Sequence, residues 1–186
     1  MTESEAAARA GRPKASSRQT LAEAACDLFL EQGYQATSVI DITTRAGVSR
    51  SSFFNYFSAK GDVFWAAFDE RLAAATSLLR AGAPVRAALA DIATGFAPDA
   101  LALAIANVEA MGLADELERE RAVRQARLAA AIAERERSGG TPPLAAEVIA
   151  AGAAGAVLAA VWHWAAAGPG RTSLAATLQQ ALDIAL

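Results

Sequence analysis

Apolar residues recur at helical spacing along most of this chain, and almost no run alternates at the period of a strand. A first helix is predicted from Ser16 or Ser17, where Ser16 and Gln19 make a capping box. Leu21, Ala25, Leu28 and Phe29 form its buried stripe. Gly33 closes it and Tyr34 staples the exit. From Thr37 to Ala46, Val39, Ile42 and Ala46 share one face of a second helix. Gly47 can take the left-handed conformation that a tight helix exit needs, Val48 plugs the corner, and Ser49 stands where an N-cap belongs. The third helix then presents Arg50, Ser51 and Asn55 and leaves Phe53, Tyr56 and Phe57 to pack. A fourth begins after Ser58, with Val63, Phe64, Ala67, Phe68 and Leu72 on its apolar face, and ends near Leu79 or Arg80.

Past the break at Ala81-Gly82-Ala83-Pro84, a helix is expected from Pro84 to Phe96. Pro98 and Asp99 open another segment, carrying Leu101, Leu103, Ile105 and Val108. Asp115 to Arg137 reads as a charged helix with a solvated face, including Glu120 and Arg124 at i,i+4. Gly139 to Pro143 is a firm boundary. The next helix runs to about Ala167, ended by Gly168-Pro169-Gly170. The last, Thr172 to Leu186, lines up Leu174, Leu178, Leu182 and Ala185.

Composition reinforces the pattern. The chain has 186 residues, 54% of them hydrophobic, and alanine, the best helix former, dominates. The fold class is all-α, with enough apolar material for a core without staples. The overall charge of −3 excludes a generally basic coat, but the balance is local. Between residues 9 and 60, Arg9, Arg12, Lys14, Arg18, Arg45, Arg50 and Lys60 outweigh Glu23, Asp27, Glu31 and Asp41, an asymmetry consistent with nucleic-acid binding confined to the N-terminal end. Asp41 and Arg45 are expected to pair with each other on the surface.

Cys26 is the one cysteine; it cannot form an internal disulfide or a cysteine-rich metal site, and it fits a reducing compartment. Residues 1–15 hold too little large apolar content to pack and read as a flexible arm, with Arg12 a candidate for a minor groove. The start lacks the apolar stretch of a signal peptide, so a cytoplasmic location is expected. Val148 to Trp162 is an unbroken apolar run, but a membrane span needs about 20 residues, and this run is mostly Ala and Gly. No membrane partner is expected.

The pair of helices around Gly47 is a helix-turn-helix, whose second helix suits the major groove of double-stranded DNA. Reading bases requires donors and acceptors near the start of a rigid helix. Arg50 can give a bidentate fork to guanine. Ser51 and Ser52 are short enough for close approach, and Asn55 lies about one turn on, where it can pair with adenine. Thr37, Ser38 and Ser49 at helix starts, and Lys60 before the fourth helix, can grip phosphates without reading sequence.

These features together, a capped first helix, Gly47-Val48-Ser49, and Phe53-Phe54-Asn55-Tyr56-Phe57 leading through Lys60 into a long helix, resemble the TetR family of bacterial regulators over residues 18–70. The resemblance implies an all-helical homodimer of about nine helices. It implies an N-terminal helix-turn-helix domain over residues 16–60, with a fourth helix, about 59–80, linking it onward. A larger dimerisation and ligand-binding domain over 61–186 would follow. A palindromic operator, self-pairing through the last two helices and a small hydrophobic ligand are implied too. Members often carry tyrosine where this chain has Phe54, so the phosphate bond that a hydroxyl there makes is lost, and Tyr56 and Lys60 become the phosphate partners.

The small residues Ala151, Gly152, Gly155, Ala156 and Ala159 suit close helix contact in such a dimer. For the pocket, Asn107, Met111, Trp162 and His163 are the polar or large groups amid small ones. No catalytic constellation, metal set or cofactor motif is expected, so the chain is not read as an enzyme. Two alternatives stay open: a helix-turn-helix protein without an effector, and a small helical enzyme.

Overall fold

The computed structural model describes residues 17–97, 99–168 and 171–186. The expected arm at residues 1–15, the Ser16 capping box, Pro98 and the Pro169-Gly170 stop lie outside them. The described residues form helices and connecting turns with no strand. Ten α-helices follow one another: α1 (Ser17–Gln32), α2 (Val39–Ala46), α3 (Arg50–Phe54), α4 (Asp62–Arg80), α5 (Val85–Ala90), α6 (Ala100–Ala106), α7 (Val108–Met111), α8 (Ala114–Ser138), α9 (Pro143–Ala166) and α10 (Leu174–Ala185).

The core is continuous from end to end. Leu21, Ala25, Leu28 and Phe29 of α1 are buried as the periodicity required, and the tilted ring of Tyr34 packs against Phe29 with ring centroids 5.1 Å apart. The segment expected to be one helix from Pro84 to Phe96 is shorter: α5 stops at Ala90, tightens into a 3-10 turn, Asp91–Ala93, and ends. Asp99 caps α6 by accepting from the amides of Leu101 and Ala102, each at 3.1 Å.

Two expectations about charge fail. Arg45 pairs with Glu31 on α1, at 2.6 Å and 2.9 Å, rather than with Asp41. The Asp41 carboxylate instead folds back on Ser38, which holds it below the ordinary carboxylate range. The charged face of α8 is also not wholly solvated, because Arg124 is buried. It spans to α4, giving both oxygens of Asp69 a bond of 2.7 Å while also pairing with Glu120 at 2.5 Å.

Helix α9 is the centre of the C-terminal half, packed between α8 and α10. By length and composition it is the one helix among the described residues apolar enough to cross a membrane. Its stripe from Ala146 through Ala153, Val157 and Val161 to Trp164 is buried inside the protein, as in the core helix of a globular fold. Gly152 lies against the end of α10 and Gly155 against Gln125 of α8, so both of these small residues serve contacts within the subunit.

Candidate nucleic-acid interface

The corner is set by its caps. The Ser38 hydroxyl accepts from the amide of Asp41 at 3.2 Å, and the Ser38 amide donates to the Asp41 carboxylate at 2.8 Å, a reciprocal capping box at the start of α2. At the other end Gly47 has φ +67°, and the amides of Gly47 and Val48 close onto the carbonyls of Thr44 and Thr43. Ser49 is the N-cap of α3, its hydroxyl accepting from the Ser52 amide at 3.2 Å. That hydroxyl also lies 2.8 Å from the hydroxyl of Ser51 and 2.9 Å from that of Ser52.

Helix α3 is anchored by Phe53, which is fully buried, and by Phe57 one turn later, their rings 5.3 Å apart. Arg50, Ser51, Phe54 and Asn55 therefore face outward and Ser52 is half-buried. Tyr56, expected to pack, is 46% exposed. The Arg50 guanidinium lies 5.5 Å from the Phe54 ring centroid, and that ring meets Phe53 edge-on at 5.4 Å. Phe54 is thus a platform joining the outward arginine to the buried anchor. Sequence reading gave it only an apolar contact, although a pair at i,i+4 was there to be seen. Ile40 on α2, 59% exposed, was not singled out either.

Three residues expected to contact phosphate make hydrogen bonds within the protein. Thr37 is 2% exposed, and its hydroxyl donates inward to the Gly33 carbonyl at 2.9 Å while receiving the Gln32 amide at 3.2 Å. Both donors of Ser38, amide and hydroxyl, are taken by Asp41. Lys60 points back into the protein: its ammonium donates to the carbonyls of Tyr34 at 2.6 Å and Thr37 at 3.0 Å and sits over the Tyr34 ring at 4.1 Å. Burial lowers its pKa. It ties the start of α4 to the α1–α2 turn.

The four expected pocket residues do not converge. Met111 is sealed in the core, His163 is exposed, Asn107 donates to its own helix at Leu103, and Trp162 contacts Trp65 and Arg121. A cavity of about 560 Å³ lies elsewhere, where α1, α4 and α6 meet. Its wall includes Cys26, whose thiol burial and neighbouring carboxylates push up to about 12, and Asp99, whose carboxyl burial raises above 3.8. No cluster able to hold a metal ion occurs among the described residues.

The caps, the left-handed glycine and the outward face of α3 define a helix-turn-helix protein. Residues 21–67 match the model of the bacterial regulatory proteins of the tetR family, and over that segment the chain is similar to them. Two curated relatives match part of the chain. MftR of Mycobacterium tuberculosis, named as a mycofactocin biosynthesis transcriptional regulator, is 32% identical over 71 residues, 38% of this chain and 36% of that protein. The HTH-type transcriptional repressor DhaR of a Mycobacterium species is 46% identical over 43 residues, 23% of this chain and 22% of that one. The chain thus spans little more than a third of either at most. Over nearly its whole length the fold is similar to that of FadR from Thermus thermophilus, described as a TetR-family repressor in complex with lauroyl-CoA. The identity is 28%, covering 90% of this chain and 92% of that one, with a TM-score of 0.54.

Proposed function

We propose that this protein is a homodimeric, DNA-binding transcriptional regulator that represses from a palindromic operator and is released by a small apolar ligand. The observation that carries the reading is the outward face of α3, where Arg50, Ser51 and Asn55 project from a helix capped at its start and pinned by Phe53. In the major groove Arg50 reads guanine through its fork, Ser51 and Ser52 permit close approach, and Asn55 reads adenine or holds a phosphate. Ser49 and Tyr56 are the phosphate contacts. Residues 16–60 form the reading head, α4 links it onward, and 61–186 form the dimerisation and ligand-binding body, in a cytoplasmic protein without catalytic function.

Repression is supported by the names that DhaR and the Thermus FadR carry, and a ligand by the lauroyl-CoA in the latter. Self-pairing is supported by the exposed apolar side chains of the last two helices. Leu144 and Val148 on α9 are 75% and 64% exposed, and Ile184 on α10 is 83% exposed. A two-fold dimer presents two heads to two half-sites.

The test is selection of bound fragments from random duplex DNA, which should enrich a palindrome. On that operator, at fixed salt, Arg50→Ala should lose about 1–3 kcal/mol of specific binding. An unchanged affinity removes Arg50 from the interface. Val148→Glu with Ile184→Asp should turn the dimer into a monomer in light scattering; a dimer that persists moves the pairing surface elsewhere.

A further inference from the structure

The cavity between α1, α4 and α6 has an apolar floor of Phe57, Val63, Phe64 and Leu103, and the small Ala67 leaves it open. Its polar wall is acidic. Glu23 and Asp27, one turn apart on α1, line it together with Asp99 at the start of α6, and Arg18, the cation among the lining residues, is already paired with Glu70. Asp99 spends Oδ1 on the two α6 amides, while Oδ2 is sealed from solvent and has no hydrogen-bond partner among the described residues. Buried oxygens of this kind are rare in native proteins and ask for a donor.

We propose that this cavity binds a small molecule in which a protonated amine is joined to an apolar body, with the ammonium donating to the Asp99 carboxylate. The χ2 torsion of aspartate is broad, so a modest turn of the carboxyl brings Oδ2 towards the cavity. An anion would meet three carboxylates, and a neutral alcohol would leave their charge unanswered. The volume lies within the usual range of small-molecule sites. Cys26 on the wall is no rival handle, since its thiol is protonated near neutral pH and is a poor nucleophile. The site joins α1 of the reading head to α6 of the body, so an occupant bears on the angle between them. The proposal names a ligand class for the regulator, but it is tested on the free chain, so its failure leaves the DNA-binding reading standing.

The test is titration calorimetry of the full chain with tryptamine, tryptophol and indolepropionate, which share one ring system and differ in charge. Tryptamine should bind saturably at one site, tryptophol about tenfold more weakly for want of the charged hydrogen bond, and indolepropionate not at all. Asp99→Asn should weaken tryptamine by a similar factor, and Ala67→Trp, which fills the space, should abolish binding. The proposal is overturned if tryptamine does not bind, or if tryptophol matches it. It is equally overturned if folded Asp99→Asn or Ala67→Trp protein binds as the parent does. Circular dichroism checks the fold of each variant, and should Asp99→Asn not fold, the tryptamine-to-tryptophol ratio decides.

Discussion

The guanidinium of Arg124 on α8 lies 4.0 Å from the centroid of the Trp65 ring on α4, while its edge grips Asp69 one turn further along α4. Trp65 in turn stands 5.8 Å from Trp162 of α9, and the guanidinium of Arg121 lies 4.6 Å from the Trp162 ring centroid. Two rings thus lie between two cations across three helices, and α4 is clasped to α8 and α9 by partly desolvated contacts.

Arg124→Met should therefore destabilise the fold although it keeps an apolar side chain. A buried ion pair broken on one side costs about 3–5 kcal/mol. Asp69 and Glu120 remain partly in water, so we expect about 2 kcal/mol. Urea unfolding with an unchanged slope measures it, and a loss within error would mean that the clasp adds nothing to stability.

Gly61 is required by a close approach. A Cβ there would meet the Tyr34 hydroxyl at 3.0 Å and a Glu116 carboxylate oxygen at 3.3 Å, the two partners of a 3.4 Å hydrogen bond that joins the α1–α2 turn to α8. Gly61→Ala should cost about 1–2 kcal/mol by overpacking. Tyr34→Phe removes the obstructing hydroxyl, so the double variant should lose less than the two single losses added together. Strict additivity in the mutant cycle would show that the two sites do not touch.

The Lys60 ammonium is engaged by the carbonyls of Tyr34 and Thr37. Lys60→Ala gives up two charged hydrogen bonds to carbonyls and should destabilise by about 1–3 kcal/mol. The salt dependence of DNA binding should keep its slope, whereas loss of a phosphate contact would reduce it by about one unit. A shallower slope with normal stability would reverse this assignment.

The Asp99 carboxyl is raised by burial, and the sign of its effect on stability follows. Well below the ordinary value of 3.8 it is protonated in folded and unfolded chains alike. As the pH rises through 3.8 the unfolded chain ionises first, so the native state loses stability until the pH passes the raised native value. Asn is as good a cap and carries no charge. Asp99→Asn should thus match the parent near pH 3 and be the more stable of the two near pH 7. A parent more stable than the variant at the higher pH would show that the carboxylate is welcome where it sits.

Helix ends were legible in the sequence because capping is local. Ser49 reaches an amide three residues on, Gly47 needs only its own φ of +67°, and Phe53 with Phe57 follows from helical period alone. So were the all-helical class and the outward Arg50, since each depends on neighbours within a turn or so. The short α5 and the inward Lys60 were not. A polar residue before a helix start looks the same in sequence whether it faces solvent or another segment's carbonyls.

What the chain order alone determined was therefore where most helices begin and end, α5 excepted, and which face of each is apolar. Tertiary structure decided how the charges and the empty space were used. Arg45 found Glu31 rather than Asp41, Lys60 found the carbonyls of Tyr34 and Thr37, and Arg124 crossed to Asp69. The cavity beside Asp99 formed where three helices meet, away from the residues that composition suggested. The physical reason is range. Caps and periodicity act within about one turn of helix, whereas an ion pair, a buried lysine or a void depends on which distant segments the packed core brings together.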